Sequence, residues 1–317
     1  GAKKGDWVNL RLLDSGSKFT ESLRGSVEEP LEKAGTVYGD LLAVAREFDM
    51  PGPYSPELEA AAAGLEPSSG VEREDLTSLF TVTIDPKDAK DFDDAISIDD
   101  DGKEWRIGVH IADVAAYIRP GTKLDKEARK RAFSSYIPGM FRPMLPRPLT
   151  SRISLRQDAG SLAHSVILRV RKRDGAIVSS RRVFSTIRVD HRLNYDEVQE
   201  AIEGKTPARW SPELTEAIGM LVKAVRKMRA RRTRREEFLS FDTTEIGVLC
   251  SEDTHEIFGI ERREQRESDE LVEECMLAAN SAVAEEVSTG TFAGLYRIHP
   301  EPEAEKLEEL SLFVSTI

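Results

Sequence analysis

The chain has 317 residues and a formal net charge of −12 at pH 7. This length accommodates one large and one small domain, and the acidic balance argues against a protein that coats polyanions through charge alone. The two cysteines provide neither a disulfide framework nor a metal-binding spacing, and no stretch approaches 18 uncharged apolar residues. We therefore expect a protein of a reducing compartment, the cytoplasm, with no membrane partner.

The order of predicted elements divides the chain into three parts. Residues 1–36 contain short alternating runs separated by glycines, which predict the end of a small β unit. Residues 37–78 predict a helical linker. Residues 79–317 form the predicted main domain, with strands at 80–84, 94–98, 105–112, 165–171 and 177–188, helices at 195–203, 211–236 and 267–287, and a short strand at 294–298.

Four aspartates lie where a predicted strand breaks and resumes: Asp85, Asp91, Asp93 and Asp94. We expect their carboxylates to converge on a small volume, where like charges repel unless a cation screens them. Oxygen ligands without His or Cys suit Mg²⁺, or alternatively Mn²⁺, rather than zinc. The cluster therefore predicts a divalent-metal site for phosphoryl chemistry, and a solvated acidic loop is the alternative.

The spacing of the acidic residues does not fit an EF-hand. Such a loop needs Gly at position 6 and Glu at position 12, but a loop starting at Asp91 places Ile96 and Gly102 there. The stretch Asp99–Gly102 instead predicts a hairpin turn, because Asp and Gly tolerate the positive φ that such turns require.

Ordered sequence blocks resemble the ribonuclease II and ribonuclease R family, whose catalytic unit is the RNB domain. The first block, Thr83–Ala95, contains the four aspartates. The blocks that follow it in the family's order are Gly108–Val114, Tyr117–Gly121, Leu124–Ala128, Tyr136–Gly139, Pro143–Pro146, Leu193–Val198, Leu271–Asn280 and Tyr296–His299. The matches are collinear from about residue 79 to residue 300, so the resemblance covers most of the chain.

The resemblance implies an α+β fold with a mixed, curved sheet flanked by helices, the N-terminal portion of an RNB-type catalytic domain. It implies that a remnant of a cold-shock-like β-barrel precedes this domain. The implied activity is processive 3′→5′ hydrolysis of single-stranded RNA to nucleoside 5′-monophosphates with two metal ions. By resemblance, Asp91 and Asp94 bind metal directly, Asp85 does so directly or through water, and Asp93 helps hold the second ion and orients the attacking water. Asp88, in the same run, is not a family acid.

Other residues in the matched blocks have more than one interpretation. The resemblance implies that Tyr136 stacks on the nucleotides nearest the cut, and a buried core tyrosine is the alternative. We predict that His110 is structural and that Asp113 caps the turn that follows it. The basic run Lys223–Arg235 predicts either a phosphate-tracking surface or a solvated helix face whose charges complement the acidic patch Glu261–Glu274.

Two departures from the family pattern bear on function. Gly160 and Ser161 replace an acid–Arg pair, and the family's catalytic domain continues beyond the position of Ile317 to a phosphate-contacting arginine and an oligonucleotide-binding barrel. We therefore expect a partial chain. Two other functions are considered beside the nuclease: an RNB-like protein that binds RNA without cutting it, and a metal-binding structural domain. The four intact aspartates favour the nuclease over the first, and the collinear blocks favour it over the second.

Overall fold

The computed structural model describes residues 2–14, 24–89, 91–157, 159–235, 245–251, 257–291, 293–298 and 300–316. At the N-terminal end, strands β1 (Asp6–Asp14) and β2 (Arg24–Lys33) pair in antiparallel orientation. Two helices follow, α1 (Val37–Glu47) and α2 (Pro56–Ala63). Each begins at a hydroxyl side chain, Thr36 or Ser55, that accepts a hydrogen bond from the first turn.

Within the described residues, one mixed sheet of seven strands dominates the fold. In spatial order its strands are β11 (His191–Asn194), β4 (Thr81–Asp85), β5 (Asp94–Asp101), β6 (Glu104–Ala112), β9 (Ser161–Arg171), β10 (Ile177–Ile187) and β3 (Glu74–Asp75). The outer pairs β11–β4 and β10–β3 are parallel, and the other neighbours are antiparallel. The five strands predicted between residues 80 and 188 are confirmed, as is the β5–β6 hairpin turn, where Gly102 has a φ of 67°.

Helices and two small hairpins complete the domain. They are α3 (Lys123–Arg131), the hairpin β7 (Ser135–Ile137) and β8 (Met140–Arg142), α4 (Arg147–Ile153), α5 (Tyr195–Ile202), α6 (Pro212–Arg235), the hairpin β12 (Glu245–Cys250) and β13 (Ile257–Arg263), α7 (Glu267–Thr289) and α8 (Ala304–Val314). The predictions for α5, α6 and α7 are confirmed within a few residues. The strand predicted at 294–298 is wrong: its described residues have no strand partner, and Leu295 and Ile298 are exposed.

Helices cover both faces of the sheet, which is why all five residues of β4 are buried. One core joins sheet residues such as Ile107 and Val109 to α5, α6 and α7. The other joins residues such as Ile167 to α2, α3 and α4. The fold is thus α+β, as expected. None of the helices in the described part of the chain is long and apolar enough to cross a membrane.

Part of the basic run on α6 is paired with acids on α7. Three arginines at intervals of one helical turn each pair with a glutamate of α7: Arg226 with Glu267, Arg229 with Glu270, and Arg232 with Glu274. Arg226 Nη2 and Arg232 Nη2 each lie 2.9 Å from their carboxylate partner. This arrangement supports the interpretation of the run as a helix face whose charges complement the acidic patch, because these three arginines form ion pairs within the protein.

Candidate active site

The acidic residues lie where two neighbouring strands separate. Strands β4 and β5 pair only through Thr81–Ser97 and Val82–Ile96. From there β4 continues beside β11, with Asp85 opposite Asn194, whereas β5 begins at Asp94. The residues between these two strands, 86–93, are called the acidic loop, and the structure describes 86–89 and 91–93 of it.

The predicted aspartates affect one another's pKa values. Burial raises the pKa of Asp85 to about 6, and the charges of Asp94 and Asp93 act in the same direction. Burial and then the Asp91 charge raise the pKa of Asp93, and burial and then the Asp93 charge raise that of Asp94. Asp88, in the same loop, is not among the groups that shift these pKa values. These shifts link Asp85, Asp93 and Asp94 through their charges and Asp91 to Asp93 alone, so a shared metal site for all four aspartates stays a prediction.

The surroundings of each carboxylate differ. Asp85 is only 9% exposed, whereas Asp93 faces solvent even though protein atoms around it reduce its hydration. Asp91 and Asp94 are half-buried. The four carboxylates thus range from one fixed inside the protein to one that reaches solvent.

The donor set fits a hard divalent cation. Asp85 Oδ2 is buried and has no hydrogen-bond partner, although a buried carboxylate oxygen normally has one. An oxygen-binding cation would satisfy this atom and relieve the repulsion among the neighbouring charges. In the arrangement seen across the described residues, no three Asp, Glu, His or Cys side chains converge closely enough to hold an ion.

Tyr195 adds a phenol to the acidic cluster. It is the first residue of α5 and follows Asn194, the strand partner of Asp85. Burial raises the pKa of Tyr195 to about 12, and the charges of Asp94 and Asp85 add to the effect. The hydroxyl therefore stays protonated and can donate a hydrogen bond beside the acids. The sequence block Leu193–Val198 contains this residue, but only the pairing of β11 with β4 reveals its position.

His110 is structural, as predicted, because both of its ring nitrogens are engaged inside the sheet. Its Nε2 lies 2.9 Å from Ser97 Oγ and its Nδ1 lies 2.6 Å from Ser165 Oγ. Ser165 Oγ in turn lies 2.6 Å from Ser185 Oγ. This hydrogen-bonded chain, which we call the serine–histidine chain, crosses β5, β6, β9 and β10. Burial lowers the pKa of His110 to about 4, so the ring is neutral at pH 7.

Asp113 caps the turn after β6, which confirms its predicted role. Its Oδ1 accepts a hydrogen bond of 3.1 Å from the Ala116 amide, and its Oδ2 accepts one of 2.6 Å from Arg73 Nη2. Both members of this ion pair are mostly buried. Asp113 therefore anchors the segment before β3 to the sheet and does not take part in the acidic cluster.

Tyr136 lies on the β7–β8 hairpin and is 77% exposed, which excludes the alternative of a buried core tyrosine. Its ring stacks on that of Phe141, the residue opposite it in the hairpin, with 4.8 Å between ring centroids. The Arg147 guanidinium lies 5.7 Å from the Phe141 centroid. The outer face of Tyr136 is thus available to a partner, and its role in binding RNA stays a prediction.

Comparisons with known proteins agree on one family. The model of the RNB domain matches residues 73–316. Ribonuclease R of Thermotoga maritima is 32% identical over 92% of this chain and 43% of its own length. For ribonuclease R of Vibrio cholerae, the identity is 32% over 97% of this chain and 38% of that protein. The chain thus spans less than half the length of these relatives.

Solved structures share the fold. Mycoplasma genitalium RNase R in complex with double-stranded RNA has a TM-score of 0.92 at 23% identity, over 99% of this chain and 56% of that one. Yeast Ssd1, a pseudonuclease, has a TM-score of 0.71 at 18% identity, over 92% of this chain and 37% of that one. The RNB match covers most of the sequence and the fold is the same, so this chain belongs to the RNB domain family.

Proposed function

We propose that this chain carries the catalytic centre of an exoribonuclease that degrades single-stranded RNA processively from the 3′ end to nucleoside 5′-monophosphates. The observation that supports the proposal is that Asp85 ends β4 and Asp94 begins β5 where these strands separate, with charges on Asp93 and Asp94 that help to raise the pKa of Asp85. Two relatives named ribonuclease R support an activity on RNA. So does Mycoplasma genitalium RNase R, which has been solved with single-stranded and with double-stranded RNA.

The residues divide the work of phosphodiester hydrolysis as follows. Asp91 and Asp94 would hold Mg²⁺, Asp85 would ligate it directly or through water, and Asp93 would help hold a second ion and orient the attacking water. When bound, two such ions activate water and neutralise charge on the phosphate and the leaving oxygen. Tyr195 places a protonated hydroxyl beside Asp85 and Asp94, where it can donate to a phosphate oxygen.

Binding of the RNA end is assigned to the exposed Tyr136. A base stacks on an aromatic ring whatever its sequence, which suits an enzyme that removes every nucleotide in turn. The outer face of the Tyr136 ring is open to such a base while Phe141 covers the inner face.

The two free cysteines agree with a cytoplasmic site of action.

The alternative function is an RNB-like protein that binds RNA without cutting it. The shared fold with the pseudonuclease Ssd1 favours it, and so does the resemblance, which implies an acid–Arg pair where this chain has Gly160 and Ser161. The presence of all four aspartates favours hydrolysis, because a protein that only binds RNA gains nothing from four repelling carboxylates.

The test is the substitution Asp93→Asn in the intact protein, with whatever sequence flanks these residues in the cell. Loss of an electrostatic catalytic group should slow cleavage of single-stranded RNA by at least about 10²-fold. RNA affinity should change little, because a carboxylate repels RNA more than it holds it. Rates are measured on 5′-labelled and 3′-labelled RNA with and without Mg²⁺, so that direction and metal dependence are read together.

Asp88→Asn is the matched control, since Asp88 is an exposed aspartate of the same loop and should leave the rate unchanged. Cleavage by Asp93→Asn at the wild-type rate would show that Asp93 has been wrongly assigned. A wild-type protein that binds RNA but leaves it intact would support the non-cleaving alternative. An excess of unlabelled competitor RNA, added after the first cut, distinguishes processive from distributive degradation.

A further inference from the structure

Phe92, the residue between Asp91 and Asp93, is held by its backbone on both sides. Its amide donates a hydrogen bond to Ser154 Oγ at 3.2 Å, and its carbonyl accepts one from the Leu155 amide at 2.8 Å. The acidic loop is therefore attached near its C-terminal end to the segment that follows α4. The positions of the Asp91 and Asp93 carboxylates, on either side of Phe92, therefore depend on these two hydrogen bonds.

Arg192 closes over the same attachment from β11. Its guanidinium carbon lies 3.9 Å from the centroid of the Phe92 ring, and its Nη2 donates a hydrogen bond of 3.2 Å to the Leu155 carbonyl. At this distance a cation is attracted to the face of an aromatic ring. Arg192 therefore contacts both partners of the backbone bond that holds Phe92, and it ties them to the edge strand of the sheet.

The position of Arg192 is fixed by the sheet. Strand β11 is parallel to β4, with Arg192 opposite Thr83, two residues before Asp85. The guanidinium is near enough to Asp85 for its charge to lower the pKa of that carboxyl, although burial outweighs it. The same arginine thus lies against the loop that carries Asp91 and Asp93 and close to the acid on the neighbouring strand.

A simpler interpretation is that Arg192 is an exposed cation that contacts an RNA phosphate. Its side chain is largely open to solvent, so this interpretation needs a test. Against it, the flat face of the guanidinium is covered by Phe92 and one nitrogen is bonded to Leu155. These contacts orient the group towards the loop.

We propose that Arg192 is a positioning residue for the acidic loop and acts through Phe92. By clamping the Phe92 ring and the Leu155 carbonyl, it holds the part of the loop that carries Asp91 and Asp93 against the segment that follows α4. The expected effect on catalysis rests on the proposed function, whereas the clamp itself does not.

The clamp is tested first by amide hydrogen exchange in the intact protein, without RNA or metal. Arg192→Ala should raise exchange in peptides that span 85–95 and 154–156 by at least about 5-fold, because their mutual hydrogen bonds open more often. Arg181→Ala is the control: Arg181 is an arginine of the same sheet, held by Glu74 through two bonds of 2.6 and 2.7 Å. It should leave these peptides unchanged. Unchanged exchange in Arg192→Ala would overturn the proposal.

The route through Phe92 is tested by a double-mutant cycle on RNA hydrolysis. Arg192→Ala and Phe92→Leu should each lower kcat about 10-fold with little change in KM, because small misplacements of catalytic groups are costly. If Arg192 acts through Phe92, the double variant should be no slower than the slower single variant. Arg192→Lys, which keeps the cation, should recover part of the rate.

The outcomes separate the two proposals. Additive effects, or a raised KM with kcat unchanged, would show that Arg192 contacts RNA directly and would overturn the positioning role. An intact wild-type protein that does not cut RNA would refute the proposed function, and the hydrogen-exchange result would still decide whether the clamp exists.

Discussion

Tyr136 has two different ring faces. Phe141 covers one face at a centroid distance of 4.8 Å, and the other contributes to a side chain that is 77% exposed. A short hairpin is stabilised by a cross-strand aromatic pair of this kind, so the pair alone does not require a ligand. The large exposed area of Tyr136 favours a ligand at this position, because burying an aromatic face against a base is favourable.

Replacing Tyr136 by Ala removes a stacking partner worth about 1–3 kcal/mol per base. We expect the variant to release short RNAs early, so that the end product becomes longer while the cleavage chemistry persists. The product ladder on a denaturing gel measures this directly. Phe133→Ala is the control, because Phe133 is a nearby aromatic that is 67% exposed. An unchanged ladder in Tyr136→Ala would remove Tyr136 from the RNA path.

At the scale of the secondary-structure elements, the serine–histidine chain explains a glycine in β6. A Cβ at Gly108 would lie 2.4 Å from Ser97 Oγ and 2.6 Å from His110 Nε2. These atoms form one link of the chain, so there is no room for a side chain between them. The hydrogen bond between Ser97 and His110 thus requires a glycine at position 108 because of the space available, and not because of a positive φ.

Gly108→Ala should therefore lower the free energy of unfolding by about 2–4 kcal/mol, through overpacking and an unsatisfied buried hydroxyl or imidazole. Urea denaturation measures the change. Gly219→Ala is the control, because Gly219 lies within α6 and a Cβ there meets no atom within 4 Å. That substitution should stabilise the helix by about 0.5–1 kcal/mol. Equal stability of Gly108→Ala and wild type would contradict this account of the chain.

The elements that the sequence predicted correctly include the longest strands and helices of the main domain. Strands such as β6 and β9 and helices such as α6 and α7 have enough residues for their apolar periodicity to be recognised. The short strands β3 and β11 were not predicted, because two to four residues carry little pattern and their pairing depends on tertiary contacts. The false strand at 294–298 has the right composition but no neighbouring strand to pair with.

The same distinction applies to the site. The four aspartates lie within ten residues of one another, so one charged run in the sequence was enough to single them out. Arg192 and Tyr195 lie about a hundred residues further along the chain. They reach the acids only because β11 pairs with β4 in parallel, and no local pattern encodes that pairing.

For the whole molecule, the buried groups act on stability in opposite directions over the same pH range. His110 has a folded pKa of about 4, below its ordinary value of 6.5. Its contribution to stability is present above pH 6.5 and is lost as the pH falls through 4. Asp85 has a folded pKa of about 6, above its ordinary value of 3.8. Its contribution is present below pH 3.8 and is lost as the pH rises through 6.

Asp85→Asn removes the pH-dependent contribution of Asp85 to stability and leaves that of His110. We expect its free energy of unfolding to rise more steeply than that of wild type between pH 4 and 6.5, and to exceed it by about 3 kcal/mol at pH 7 without metal. Mg²⁺ should narrow this gap by stabilising wild type alone, since a ligand of the folded state adds to its stability. Denaturation at a series of pH values measures both effects, with Asp88→Asn as the control that follows wild type. Parallel curves for Asp85→Asn and wild type would mean that the buried carboxylate carries no electrostatic strain for a cation to relieve.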